Sequence, residues 1–252
     1  MTTAAIYMGS VFRRHGSTIA VDKLYSRHAA RERGAYLHNE KPTPKQQDSV
    51  PRRRAHRILS CRTDPRKRAE ALLDTKEFSC PATSYGISTE AAARRKFEAV
   101  HGVSVQCFGL VVASDDPWLA NSPDGVFRSP DGMVHLLEIK CPKSREQKKV
   151  SELPLLSYLC TDENGLHLRK THTYYTQVQI NLHVLDLKTC SFFIYTKVDF
   201  ETIEVVRDNN FLSAAVPRLR IFYFEHLLPS TLRAELRRRN KMCSCRPPCV
   251  DM

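Results

Sequence analysis

The chain has 252 residues, enough for one large domain or for one domain with appended arms. Hydrophobic residues make up 42% of it, so an ordinary core can be buried, and 39 Lys and Arg against 27 Asp and Glu leave a formal charge of +12. That surplus favours polyanionic partners, because neutralising phosphates releases condensed counterions, although ribosomal, chromatin and membrane-surface proteins share it. No run of about 18 apolar residues is present, which excludes a transmembrane helix of ordinary length. The N-terminal stretch MTTAAIYMGSVFRRHGS lacks an apolar core and a cleavage site, so no secretory signal is expected. Nine cysteines, six of them scattered singly, fit reduced intracellular thiols better than a secreted disulfide framework.

Residues 1–80 read as a basic, poorly ordered N-terminal arm. Between Arg27 and Arg68 the chain is crowded with charge, proline and polar residues (KPTPKQQDSVPRRRAHR, TDPRKR), with too few periodic apolar positions to fold alone. Direct DNA contact and a nuclear-localisation role fit this segment equally well. From Ser84 the texture changes. Ser88 or Thr89 can cap a helix through EAAARRKFEAVHG that ends at Gly102. VSVQCFGLVVAS follows with strand-like alternation, then the turn-rich DDPWLANSPDG, then VHLLEIK as a buried strand. After a polar linker containing KSREQKK, residues Thr173–Leu185 read as a helix, and CSFFIYT and FETIEVV as two strands. The remainder reads as a long helix broken near Pro217, with a second break at Pro229, followed by a cysteine-containing tail over 241–252. The order of elements predicts a mixed α/β domain over residues 81–240.

One constellation carries chemistry. On a strand, Glu138 and Lys140 project to the same side while Ile139 points into the core. Asp124 lies in Ser-Pro-Asp-Gly, a turn sequence that presents its carboxylate at a strand entry. Hydrolysis of a phosphodiester needs carboxylates to hold a divalent cation, a cation to polarise the phosphate and acidify water, and a further group to position that water. Asp124 and Glu138 supply oxygens of the kind Mg²⁺ takes, the Ile139 carbonyl lies between them, and Lys140 is placed to orient the nucleophile or stabilise developing charge. Alone, a carboxylate followed by ExK is a weak signal, since an ordinary strand end matches it. Here the strand is otherwise apolar (Val134, Leu136, Leu137, Ile139), so charge at its end calls for an explanation.

PWLANSPDGVF, LLEIKCPKS and YYTQVQINLHV, preceded by Gly86, Glu90, Ala93, Arg94, Phe97 and Glu98 in the register G-x-x-x-E-x-x-A-R-x-x-[FY]-E, resemble the lambda-exonuclease/YqaJ branch of the PD-(D/E)xK nuclease superfamily. The resemblance spans residues 84–196 and implies a restriction-endonuclease-like mixed central sheet flanked by helices. It further implies a Mg²⁺- or Mn²⁺-dependent nuclease acting on DNA. In that pattern Glu90 completes the metal site from the helix, Asp124, Glu138 and Ile139 hold the metal, Lys140 is the catalytic lysine, and Gln177 is a polar active-site residue. Relatives in this branch digest duplex DNA from an end, serve recombination beside a strand-annealing protein, and in some cases assemble as homo-oligomeric rings. The sequence departs from the family turn G-A-S-P-D-G-L at Ala120, Asn121 and Val126 while keeping every charged position. Two other readings stay open: a structure-specific endonuclease on the same fold, and an inactive DNA-binding domain of mobile-element origin.

Other residues carry divided readings. Arg94 and Arg95, one turn beyond Glu90, suit phosphate contacts or a solvated helix face. Lys143, Arg145, Lys148 and Lys149 line a DNA channel or are merely solvated. Tyr174 and Tyr175 pack or meet nucleic acid, and Tyr175 is taken as the DNA-binding one. Gln177 and Gln179, two apart on a helix, cannot share a face, and Asn181 lies on the Gln177 side. Trp118 packs the turn before Asp124. Cys243, Cys245 and Cys249 are three candidate zinc ligands without a fourth.

Overall fold

The computed structural model describes residues 52–73, 81–113, 115–152, 154–163 and 165–244. Three helices come first: α1 (Arg52–Leu59), α2 (Pro65–Leu73) and α3 (Pro81–His101). Strands β1 (Val105–Gln106), β2 (Val111–Val112), β3 (Ala120–Asn121), β4 (Gly125–Arg128) and β5 (Val134–Lys140) follow. A short hairpin of β6 (Leu159–Asp162) and β7 (Gly165–Leu168) precedes α4 (Thr173–Val184), β8 (Thr189–Tyr195) and β9 (Phe200–Val206). The chain then runs through α5 (Asn209–Phe222), a π-helical turn (Tyr223–Leu227) and α6 (Leu228–Ser244). No helix among the described residues is long and apolar enough to cross a membrane.

The main sheet has five strands in the order β1-β4-β5-β8-β9. Only β5 and β8 run parallel, joined through the β6–β7 hairpin and α4, so the sheet is mixed as expected. Side-chain alternation divides it cleanly. Leu137, Ile139 and Phe193 face α3, packing with its Ala93 and Phe97 and with Phe127. Leu136, Cys190, Phe192 and Ile194 face the other way, onto α4 through Val178 and Leu182. Glu138 and Lys140 share the parity of Leu136 and therefore turn toward α4, as the period of two requires.

Three expectations are corrected. Residues 52–73 are not a poorly ordered arm: Ala55, Ile58, Ala69 and Leu72 are buried, in a second core with Trp118, Ile180, Val184, Leu219 and Phe222. Residues 1–51 and 74–80 of that expected arm lie outside the described residues, as does the cysteine tail from residue 245 onward. Helix α3 starts at Pro81, seven residues before Ser88, proline being suited to a first helical turn. Finally, α5 runs unbroken through Pro217. Leu212, Leu219 and Phe222 bury one side of it, and this packing outweighs the hydrogen bond that proline removes. The second predicted break does coincide with a disturbance, the π-helical turn that ends just before Pro229.

Candidate active site

The site is built where β4 begins and β5 ends. Gly125 pairs with Leu137, so the next positions outward bring Asp124 opposite Glu138 and Pro123 opposite Ile139. Proline cannot donate to the ladder, and β4 goes no further. The Ile139 N–H on that side instead donates to Asp124 Oδ2 at 2.9 Å. A backbone donor at the strand end thus fixes the carboxylate that the SPDG turn presents. Gly125 is required there by close approach, because a Cβ on it would come within 2.3 Å of Val105 Cγ1 on β1.

Glu138 has no exposed surface, and a buried carboxylate must be fully partnered. Lys140 Nζ and Gln177 Nε2 both donate to its Oε1, while Asn181 Nδ2 donates to its Oε2 at 3.1 Å. Lys140 Nζ also donates to the Ile139 carbonyl at 3.1 Å and stands 3.9 Å from Asp124 Oδ2. The ammonium is therefore surrounded by two carboxylates and one carbonyl, with Tyr174 and Phe192 rings at 4.8 and 5.8 Å.

Asp124, Glu138, Ile139, Lys140 and Gln177, all singled out in the sequence, meet in this one place. Glu90 stands to one side. Its helix α3 packs on the opposite face of the sheet, and its Oε1 accepts from Arg94 Nη2 at 2.6 Å. The same Arg94 nitrogen lies 3.4 Å from the Asp124 carbonyl oxygen, so Arg94 ties Glu90 to the edge of the centre rather than facing solvent. Arg95 is exposed on α3. Lys143 pairs with Glu146 and lies over the Tyr85 ring at 4.7 Å. Arg145, expected to face a DNA channel or solvent, is instead buried, donating to the Pro154 carbonyl and lying 3.8 Å from Glu152. Tyr175 is also turned away, because one residue rotates the helix by about 100°. Its hydroxyl donates to Asp208 at 2.7 Å, and that contact, after burial, pushes the phenol well above its ordinary range. Tyr174 is the tyrosine that reaches the centre. Gln179 serves the far side of α4, donating to the Val206 carbonyl at 2.9 Å and accepting from Asp208 N at 2.8 Å.

Asn181 is the residue that sequence reasoning left without a role. Its position four residues beyond Gln177, on the same stripe of α4, is the signal that finds it. Trp118 is buried in the second core and donates to Asp116 at 3.0 Å, which packs the segment before Asp124 as expected. Cys141, next to Lys140, is pushed up to about 12 by burial and then by the Glu90 charge, so it stays a neutral thiol and no nucleophile.

No three His, Cys, Asp or Glu side chains gather tightly enough to hold a metal unaided among the described residues. The donor set at the strand end nevertheless fits a hard divalent cation. It consists only of oxygens, from two carboxylates and a backbone carbonyl, and it already encloses one positive charge.

A mixed sheet with an acidic centre and a lysine at one strand end, flanked by helices on both faces, defines the class as a nuclease fold. The chain matches the model of the YqaJ-like viral recombinase domain over residues 53–189, more than half its length, and belongs to that family. Its fold is similar to that of LHK-Exo, an alkaline exonuclease from Laribacter hongkongensis, with a TM-score of 0.55 at 19% identity, covering 79% of this chain and 96% of that one. The same enzyme in complex with dAMP gives a TM-score of 0.56 at the same identity and coverage. No curated protein shows significant sequence similarity to the chain. The family match begins inside the segment expected to be an arm, in agreement with the burial of α1 and α2.

Proposed function

We propose that this protein is a divalent-metal-dependent deoxyribonuclease that hydrolyses phosphodiester bonds, acting as an exonuclease on duplex ends in recombination or repair. The observation that carries the reading is the enclosure of Lys140 Nζ by Asp124, Glu138 and the Ile139 carbonyl at one strand end. Membership of a recombinase family of exonuclease type supports a DNA nuclease role, and the fold shared with an alkaline exonuclease is consistent with it. Charge adds to the support: residues 52–73 hold eight Lys and Arg against two Asp and Glu, half of the net +12, with α1 packed on α4 and α2 on the π-helical turn and α6.

Asp124, Glu138 and the Ile139 carbonyl would hold Mg²⁺ or Mn²⁺, with Glu90 reaching it if released from Arg94. The bound ion supplies charge that polarises the phosphate and acidifies a water. Gln177 and Asn181 fix both oxygens of Glu138, so the carboxylate meets a cation without reorganising. Lys140 orients the attacking water through Nζ and offsets negative charge on the phosphate oxygens as the bond breaks. Arg94, whose guanidinium lies 3.4 Å from the Asp124 carbonyl, would take a phosphate oxygen near the scissile bond.

The test is degradation of a linear 5′-phosphorylated duplex with Mg²⁺, beside a closed circle, EDTA and Lys140→Ala controls. Loss of the linear species alone, abolished by EDTA and by the substitution, is the expected result. Cutting of the circle would replace the exonuclease by an endonuclease on the same fold. DNA that is bound but never cut would make this an inactive DNA-binding domain.

A further inference from the structure

Tyr174, Gln177 and Asn181 lie three and four residues apart on α4 and form one stripe along it. All three meet the same strand end. Gln177 and Asn181 take the two oxygens of Glu138, and the Tyr174 ring takes the ammonium of Lys140 at 4.8 Å. Phe192, opposite Glu138 in the β5–β8 register, adds a second ring at 5.8 Å. The Tyr174 ring is itself braced, edge-on, by Tyr158 at 5.0 Å and His172 at 4.8 Å, and tilted on Phe192 at 6.0 Å. Lys140 keeps only 15% of its side-chain surface exposed, so its ammonium is largely withdrawn from water and depends on these neighbours.

We propose that Tyr174 is a positioning residue for the reaction above, holding Lys140 in place when a metal cation occupies the carboxylates. The inference rests on the nuclease reading. The oxygens that now hold the ammonium are the same ones that fit a divalent cation, and two cations cannot share them without strong repulsion. On loading, Lys140 needs another electronegative neighbour if it is to stay at the strand end. The face of an aromatic ring attracts an ammonium through its quadrupole, donates no ligand to a metal and accepts no proton. Tyr174 and Phe192 are the ring faces already in place. Phe192 lies fully buried in the sheet core, which leaves Tyr174, half-buried on the helix, as the position that can be varied.

The experiment compares wild type, Tyr174→Leu and Tyr174→Phe. It measures single-turnover cleavage with Mg²⁺ and, separately, DNA affinity with Ca²⁺ in its place. Tyr174→Leu is expected to cut about tenfold more slowly, with affinity unchanged within about twofold, and Tyr174→Phe to restore most of the lost rate. Because Leu also changes the packing, phenylalanines carrying one, two and three ring fluorines at position 174 keep the shape while weakening the quadrupole. The rate should fall stepwise along that series with the affinity flat. A third readout needs no activity: reductive methylation with ¹³C-formaldehyde should give a Lys140 dimethylamine signal shifted upfield by the ring, identified by its loss in Lys140→Arg and relaxed in Tyr174→Leu. A rate indifferent to fluorination, an effect confined to DNA affinity, or a Lys140 signal that ignores Tyr174→Leu overturns the inference while leaving an active nuclease intact. A wild type that cuts no DNA under any divalent ion sinks the nuclease reading, and this inference with it.

Discussion

Glu138 shows what a single buried residue demands of its surroundings. A carboxylate without exposed surface is tolerated because Lys140, Gln177 and Asn181 all donate to it, and removing one charged partner leaves the other stranded. Lys140→Ala should therefore destabilise the fold by about 3 kcal/mol, measured by urea unfolding in EDTA. Lys140→Ala combined with Glu138→Gln should recover much of that loss, because the remaining amide is neutral. A single variant as stable as wild type would mean that Glu138 is already protonated or solvated. At this scale the sequence is legible where the backbone fixes a side chain's direction. Alternation alone places Glu138 and Lys140 on one face, and Ser-Pro-Asp-Gly places Asp124 at the strand entry. It is less legible on helices, where a shift of one residue turns a side chain by about 100°. That shift is why Tyr174 and not Tyr175 meets Lys140. It is illegible for Arg145, whose burial against the Pro154 carbonyl depends on a loop path that local sequence does not encode.

Among the elements, β4 and β5 decide the geometry of the site, and Gly125 decides how β4 meets β1. A methyl group there would overlap Val105 Cγ1, so Gly125→Ala should cost about 1–3 kcal/mol and lower activity by displacing the neighbouring Asp124. Val105→Ala in the same chain removes the atom in the way and should rescue both. Additive losses in the double variant would mean that the clash is not the cause. Pro217 offers the opposite case. It is exposed, inside a helix that closes around it, and contributes no partner, so Pro217→Ala should raise the unfolding free energy by about 1–3 kcal/mol. Calorimetry showing no gain would point to a kink at Pro217 that the packing of α5 requires. The long strands β5, β8 and β9 are readable because their apolar positions recur over seven residues, whereas α4, whose Val178, Ile180, Leu182 and Val184 alternate as a strand's would, is buried on nearly every side. The hairpin of β6 and β7 is not readable, since four-residue strands reading LCTD and GLHL carry too little period to stand out from a polar linker.

For the molecule as a whole, the boundary of the domain is the feature that composition misjudges. Residues 52–73 are dense in arginine, and their few apolar side chains are divided between two helices of eight and nine residues, each too short to be stable alone. Packing reveals what composition hides: Ala55, Ile58, Ala69 and Leu72 complete the core that α4, α5 and the π-helical turn leave open. The consequence reaches the candidate site. His56 Nδ1 of α1 lies 3.0 Å from Thr176 Oγ1 on α4, beside Gln177, so α1 braces the helix whose Gln177 and Asn181 hold Glu138. Leu72→Ala should accordingly cost about 2–5 kcal/mol, as a fully buried leucine does, and should do so in one cooperative transition. It should also lower nuclease activity at temperatures well below melting, although position 72 touches no residue of the centre. Hydrogen exchange on the variant separates the two possibilities. Loss of protection shared by residues 52–73 and α4 means one folding unit that includes this basic segment. Loss restricted to 52–73, with activity and the stability of α4 preserved, would return these helices to the status of an appended arm.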